Sequence, residues 1–158
     1  LKRELLDERK KGAGKKAGMI VLSDHGHIQV HVSDVIHLGR LTQMRGFQVL
    51  PPTGTSRSPY FYLRAGKLEA GRKYYRKAFG NRALILGQEA LLSSGLWGPG
   101  PVRREFRGRV GDLVGLMRDS HAVFYPYRPD AKISELVGGR HGGLHEDEML
   151  IPFFCAQI

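Results

Sequence analysis

Apolar residues fall along this chain in short runs separated by glycine, proline and charged connections, a pattern of brief strands and helices rather than long helices. The run Met19–Leu22 is rich in β-branched residues and meets no polar side chain until Ser23, so it predicts a strand buried on both faces. Leu150–Ala156 predicts a second buried strand at the end of the chain, with Cys155 an inert thiol inside it. Between them, Tyr60–Leu63, Ala83–Leu86, Leu113–Met117 and Ala122–Tyr125 read as strands. Glu69–Phe79 reads as a helix with Tyr74, Tyr75, Ala78 and Phe79 inward and Arg72, Lys73, Arg76 and Lys77 outward, and Gln88–Leu92 as a short helix closed near Gly95. Leu1, Leu5 and Leu6 predict a short amphipathic helix ending near Gly12. Residues 28–50 are mixed, and 27–60 as a whole forms a possible excursion from the sheet. Helix, short loop and buried strand in succession make this an α/β chain.

At 158 residues, with 41% hydrophobic and 25% charged residues, the composition is that of one globular domain spanning 1–158. No apolar run approaches the roughly 18–20 residues that cross a bilayer, so no membrane partner is expected. A single cysteine allows no internal disulfide and points to a reducing compartment, the cytoplasm. The first residue is Leu1 rather than methionine, which fits a fragment or processed piece. The formal charge of +10, from 25 basic against 15 acidic side chains, favours anionic partners: nucleic acid, phosphorylated substrates or acidic surfaces. No aromatic residues interleave with the basic side chains of 1–16, so no single-strand stacking platform is indicated there.

Candidate chemistry gathers at the end of the first strand, in Ser23-Asp24-His25-Gly26-His27. Ligands of open α/β sheets sit outside the carboxyl ends of strands. Carboxylate plus imidazole is ordinary ligand chemistry for Zn²⁺, Mn²⁺ or Fe²⁺, and a strand-end hydrogen-bonding role suits the same pair. Far along the chain, Gly138-Gly139-Arg140-His141-Gly142-Gly143 sets one histidine in a glycine-dense loop, as a metal, a phosphate or a tight turn would need. Arg57 sits among small hydroxyl residues, where it could grip a phosphate or substrate carboxylate or lie in water.

Ser23-Asp24-His25-Gly26 after an apolar strand, with Arg140-His141-Gly142-Gly143-Leu144 and Glu148-Met149-Leu150-Ile151-Pro152 at the end, resembles the alkaline phosphatase superfamily. It is most similar to the branch of PglZ-type proteins and nucleotide pyrophosphatase/phosphodiesterase-like enzymes. The resemblance implies the C-terminal portion of a three-layer α/β/α sandwich with a mainly parallel sheet. It also implies a site of two divalent ions, zinc or manganese, flanking a serine or threonine nucleophile. Asp24 and His25 then match ligands of one ion, and His141 a ligand of the other. The nucleophile and the remaining ligands of such a site belong N-terminal to the strand of Ser23, and the 18 residues before Met19 supply none. The implied function is therefore the C-terminal portion of a two-metal phosphohydrolase acting on phosphate esters, inactive by itself and partnered by the N-terminal half of its catalytic domain. Two alternatives stand beside it: a non-catalytic binding or interaction module derived from that fold, and a basic nucleic-acid-binding protein.

The geometry expected is specific. Asp24, His25 and His141 should meet at the sheet edge although 116 residues separate the last two. With ions roughly 3.5–4 Å apart, the His141 ring should lie within about 10 Å of the Asp24 carboxylate. His27 and His145 should point elsewhere.

Overall fold

The computed structural model describes residues 18–157. The helix expected at 1–12 lies outside them. At the centre is a four-stranded antiparallel sheet of β4 (Thr53–Gly54), β5 (Pro59–Phe61), β7 (Leu113–Met117) and β6 (Ala83–Gly87), in that spatial order. Alternation along β7 sends Leu113 and Met117 to one face and Val114 to the other. The first face is covered by the helix Leu68–Phe79, which buries Gly71, Tyr75 and Phe79 and leaves Lys73, Arg76 and Lys77 outward as the pattern predicts, whereas Arg72, expected outward, is half-buried against Gly87 of β6. Gly71 sets the helix close, since a Cβ there would stand 2.8 Å from Leu63. The Tyr75 ring then stacks on Phe61 at 4.2 Å, with Phe79 edge-on to the same ring. Burying each of these large side chains contributes about 1.5–3 kcal/mol. The other face packs on Leu91, Leu92 and Val110.

Three two-stranded ladders surround this core. β3 (Val35–His37) runs parallel to β8 (Ala122–Phe124), β2 (Ile28–Val30) antiparallel to β9 (Gly138–Arg140), and β1 (Gly18–Leu22) antiparallel to β10 (Phe153–Gln157). The α/β class read from the sequence holds, but where a mainly parallel sheet was expected only β3–β8 is parallel among the described ladders, and the other five pairings are antiparallel. The Val123 amide donates to the Ser56 carbonyl at 2.8 Å, tying β8 to the β4–β5 hairpin. The stretch 27–60 supplies strands to three of the four sheets.

The burial expected of the first and last strands is not found. They pair with each other, and Ile20 is 61% and Phe154 66% exposed. The register sets Ile20 opposite Cys155 and Leu22 opposite Phe153 on one face, with Val21 opposite Phe154 on the other. Both faces are apolar, and among the described residues neither is covered. Cys155 is accordingly exposed, not enclosed.

Candidate metal centre

β1 ends at Leu22, and the next five residues turn the chain toward β2. The Ser23 hydroxyl donates to the His25 carbonyl at 2.9 Å, and the His25 amide donates to Asp24 Oδ1 at 3.0 Å. Those bonds fold the Asp24 carboxylate back onto the His25 ring, with Oδ2 lying 3.3 Å from Nε2. Backbone N–H groups of Asp24 and His25, and then the His25 ring, hold the Asp24 carboxyl below its ordinary value. Nδ1 of His25 stands 2.9 Å from the Gly26 carbonyl, which can only accept, so the proton belongs on Nδ1. That leaves the Nε2 lone pair facing a carboxylate oxygen, an arrangement that calls for a cation or a proton between them. Gly26 is fixed in turn by its amide, which donates to the Glu148 carbonyl at 2.9 Å. A Cβ at Gly26 would fall 2.0 Å from the Asp147 carbonyl, so glycine alone fits.

The β2–β9 ladder brings in the other two imidazoles. Ile28 pairs with Arg140 at its end, so the next residues outward, His27 and His141, leave the ladder side by side. The His141 ring stacks on His25 at 3.6 Å and 14°, and His27 stands edge-on to both, at 4.8 Å from His25 and 5.3 Å from His141. One nitrogen from each of the three lies within 4.8 Å of the others. The three nitrogens with the adjacent carboxylate form a donor set of the kind that binds zinc or manganese. Asp24, His25 and His141 are thus brought together across 116 residues, the Asp24 carboxylate touching the ring on which His141 stacks. His27, expected to point away, belongs to the cluster. His145 does point elsewhere: Nδ1 accepts the Asp147 amide at 3.2 Å and caps the helix Glu146–Met149.

The His141 loop is held from behind by a buried ion pair. Gly142 adopts φ +104°, and Thr55 Oγ1 is 2.7 Å from where its Cβ would be. The Gly143 amide donates to Glu148 Oε1 at 2.9 Å and the His145 amide to Oε2 at 3.3 Å. Arg57 faces the same carboxylate with a two-pronged fork, Nε to Oε1 at 3.0 Å and Nη2 to Oε2 at 2.6 Å, while Nη1 donates to the His121 carbonyl. Burial pushes the Glu148 carboxyl up, but the hydrogen bonds from Arg57 and Gly143 and the Arg57 charge outweigh it and hold the group below its ordinary value. Arg57, expected to grip a substrate anion, is wholly buried and grips Glu148 instead.

Sequence reasoning missed His27 and Glu148. The signal for the first was the ladder register, which one sequence does not display. For the second it was the spacing of a helix cap, His145 with Glu148 three residues on, just before the Leu150–Ile151 pair.

The chain thus has a mixed α/β fold with an imidazole–carboxylate cluster at a strand end. Among solved structures, human ectonucleotide pyrophosphatase/phosphodiesterase 5 superposes with a TM-score of 0.62 at 14% identity, over 96% of this chain and 36% of that one. Phosphonoacetate hydrolase from Sinorhizobium meliloti 1021, in complex with phosphonoacetate, superposes with a TM-score of 0.58 at 20% identity, over 97% and 38%. An inactive form of murine ectonucleotide pyrophosphatase/phosphodiesterase 5 in complex with AMP gives 0.60 at 17%, over 87% of this chain and 33% of that one. These neighbours are members of the alkaline phosphatase superfamily. The chain spans a little over a third of the length of the structures it first matches. No family model matches the chain, and a search of curated proteins finds no match. Among the described residues no helix is long and apolar enough to cross a membrane.

Proposed function

We propose that this chain is the C-terminal portion of a two-metal phosphohydrolase of the alkaline phosphatase superfamily, carrying metal ligands but not the nucleophile. The observation that carries the reading is the stacking of His141 on His25, beside Asp24, on a fold shared with phosphodiesterase and phosphonoacetate hydrolase structures. Asp24 and His25 would serve one ion and His141 another, since stacked rings place their lone pairs in parallel planes rather than toward one point. His27 adds a third imidazole. Divalent ions held there, zinc or manganese, supply activation of a hydroxyl nucleophile and charge to bind phosphoryl oxygens. The chain's own residues do the positioning. Ser23 and Gly26 fix the turn that presents Asp24 and His25, and Glu148 with Arg57 fixes the loop that presents His141.

The Ser or Thr nucleophile and the remaining ligands would come from the N-terminal half of the catalytic domain, and phosphate esters would be the substrates. The neighbours favour the phosphodiesterase-like branch over the PglZ-type branch. With one cysteine and no disulfide to protect, the cytoplasm suits the protein. The faces of the β1–β10 ribbon, uncovered among the described residues, favour a second reading, a non-catalytic module that binds a partner through this fold. Binding to nucleic acid rests on net charge alone, and strongly salt-dependent binding of random duplex would mark it.

Calorimetric titration of the chelator-treated chain with Zn²⁺ and Mn²⁺ tests the reading. Binding should weaken by about tenfold or more in His25→Ala and in His141→Ala, given that even outer-shell partners are worth 10–100-fold. The metal-loaded chain should not hydrolyse p-nitrophenyl phosphate, for want of a nucleophile. Unchanged affinity in both variants defeats the metal assignment, and chelator-sensitive hydrolysis defeats the missing nucleophile.

A further inference from the structure

Where β6 ends at Gly87 and the helix Gln88–Leu92 begins, a cavity of about 440 Å³ opens against the helix Leu68–Phe79. That volume lies within the range of small-molecule sites, roughly 300–1,000 Å³. No residue of the imidazole cluster, and neither Arg57 nor Glu148 behind it, lines this cavity. Leu68, Ile85, Leu86 and Ala90 give it an apolar wall, and five polar side chains complete the lining: Arg72, Arg76, Gln88, Glu89 and Asp112. Three of the five are engaged elsewhere. Gln88 Nε2 donates to the Arg107 and Val110 carbonyls at 2.9 and 2.6 Å, Glu89 pairs with Arg107, and Asp112 Oδ2 accepts the Leu63 amide at 2.6 Å.

The two arginines are not engaged. Arg72 Nε is sealed from water and has no hydrogen-bond partner, where buried charged donors are ordinarily paired. Among the described residues the acidic neighbour of Arg72 is Glu69, at 3.6 Å and with its side chain 78% exposed. That is too far for a hydrogen bond and too well solvated to neutralise the charge. Arg76 follows four residues on, along the same side of the helix, and has no ion pair among the described residues. Like charges at that spacing repel each other. The Arg72 guanidinium is nonetheless seated in place by Gly87, where a Cβ would stand 2.9 Å from Nη2.

We infer that this cavity is an oxyanion site, in which Arg72 and Arg76 hold the phosphoryl or carboxylate head of a small molecule and the apolar wall receives the rest of it. Guanidinium groups suit such heads because their fixed N–H fork meets two oxygens at once. The anion supplies the acceptor that Arg72 Nε lacks and offsets the repulsion between the two cations. The inference is independent of the metal reading of the imidazole cluster.

The test titrates the chelator-treated chain with sodium phosphate and, separately, with sodium malonate at constant ionic strength, following amide shifts by NMR. Saturable shifts should appear at Gly87, Gln88 and Glu89, and the probe that binds more tightly identifies the head group as phosphoryl or carboxylate. Arg72→Met and Arg76→Met should each weaken binding by about tenfold, as loss of a hydrogen bond to a charged group does. Lys73→Met removes the same charge from the same helix outside the cavity and should leave the affinity unchanged. Gly87→Ala changes no charge and moves only the far end of a flexible side chain, so it should stay folded and still weaken binding by about threefold or more. Thermal melts check the fold of each variant. Equal losses in Lys73→Met and Arg72→Met, with none in Gly87→Ala, would mean diffuse attraction by a basic surface and overturn the site. Shifts confined to His25 and His141, or no saturable shift with either probe, would overturn it as well.

Discussion

Replacing Glu148 with glutamine should loosen the His141 loop and lower the stability of the whole chain. Glu148 is 3% exposed and Arg57 is not exposed at all, so the pair is sealed from water. Four hydrogen bonds converge on the carboxylate: two from the Arg57 guanidinium, one from the Gly143 amide and one from the His145 amide. Glutamine keeps the shape but replaces one acceptor oxygen with an NH₂ group that faces the donors of Arg57, and the guanidinium charge is left without its partner. Removing one member of a buried pair in this way costs about 3–5 kcal/mol. A domain of this size loses about 2–4 °C of Tm per kcal/mol, so the melting midpoint should drop by about 6–20 °C. Amide exchange should accelerate at Gly143 and His145, whose N–H groups lose their acceptor. Circular dichroism melts and hydrogen exchange read both effects. The double variant Arg57→Met, Glu148→Leu should recover only the part of the loss that comes from the unpaired guanidinium charge, because the Gly143 and His145 amides and the His121 carbonyl remain without their partners. A Tm within about 2 °C of native, with unchanged exchange at those two amides, would refute the assignment of Glu148 as the clamp.

Three other outcomes follow from the same contacts. Because the folded-state Glu148 carboxyl titrates below its ordinary value of 4.5, its contribution is complete above that pH and drains away as acid protonates it, so a pH series of melts should show native stability declining below about 4.5 and Glu148→Gln declining less. Gly26→Ala should destabilise by at least the 1–3 kcal/mol typical of overpacking, since its Cβ would meet the Asp147 carbonyl at 2.0 Å; a melt within 1 °C of native would contradict the packing of that turn on the helix Glu146–Met149. Phe154→Ser, on the uncovered ribbon, should change the stability of the chain by no more than about 0.5 kcal/mol, where a core phenylalanine would cost 3–5 kcal/mol, and a loss of core size would mean that the ribbon is covered in solution.

Elements with a clear period were readable in advance. The helix Leu68–Phe79 carries its buried residues four apart at Gly71, Tyr75 and Phe79, and three strands of the central sheet are short β-rich runs between turn signals, whereas β4 falls in a Pro- and Gly-rich stretch that carries no strand signal. The convergence of Asp24, His25 and His141 was expected from the resemblance to the alkaline phosphatase superfamily, while strand-end position and glycine density mark only places where a backbone can turn a side chain toward a neighbour. The identity of the third imidazole was not. Simple alternation along an extended chain places His25 and His27 on one side, but only the pairing of Ile28 with Arg140 says that His141 arrives beside them. Arg57 failed for a similar reason. Its local setting of Thr and Ser describes a loop in water, whereas its partner lies 91 residues away and draws it fully inside.

The ribbon of β1 and β10 shows what hydrophobic pattern does and does not measure. A two-stranded ribbon by itself is marginal in water, and a sheet meant to face water on one side alternates apolar with polar residues. Neither strand alternates. Ile20 and Leu22 oppose Cys155 and Phe153 on one face, and Val21 opposes Phe154 on the other, so both faces are written for burial. The described residues nonetheless leave Ile20, Val21, Leu22, Phe153 and Phe154 each more than half exposed. Pattern therefore records the environment for which a strand was selected, and exposure records what the described residues supply. The disagreement falls on these strands and not on the central sheet, whose faces are closed by the helix Leu68–Phe79 and by the Leu91–Leu92 cluster. The same strands adjoin the candidate metal centre, since β1 leads directly into Ser23 and Asp24 and β10 follows the Glu148 helix. Whatever covers the ribbon would therefore stand next to Asp24, where the proposed function requires a nucleophile and further ligands to arrive.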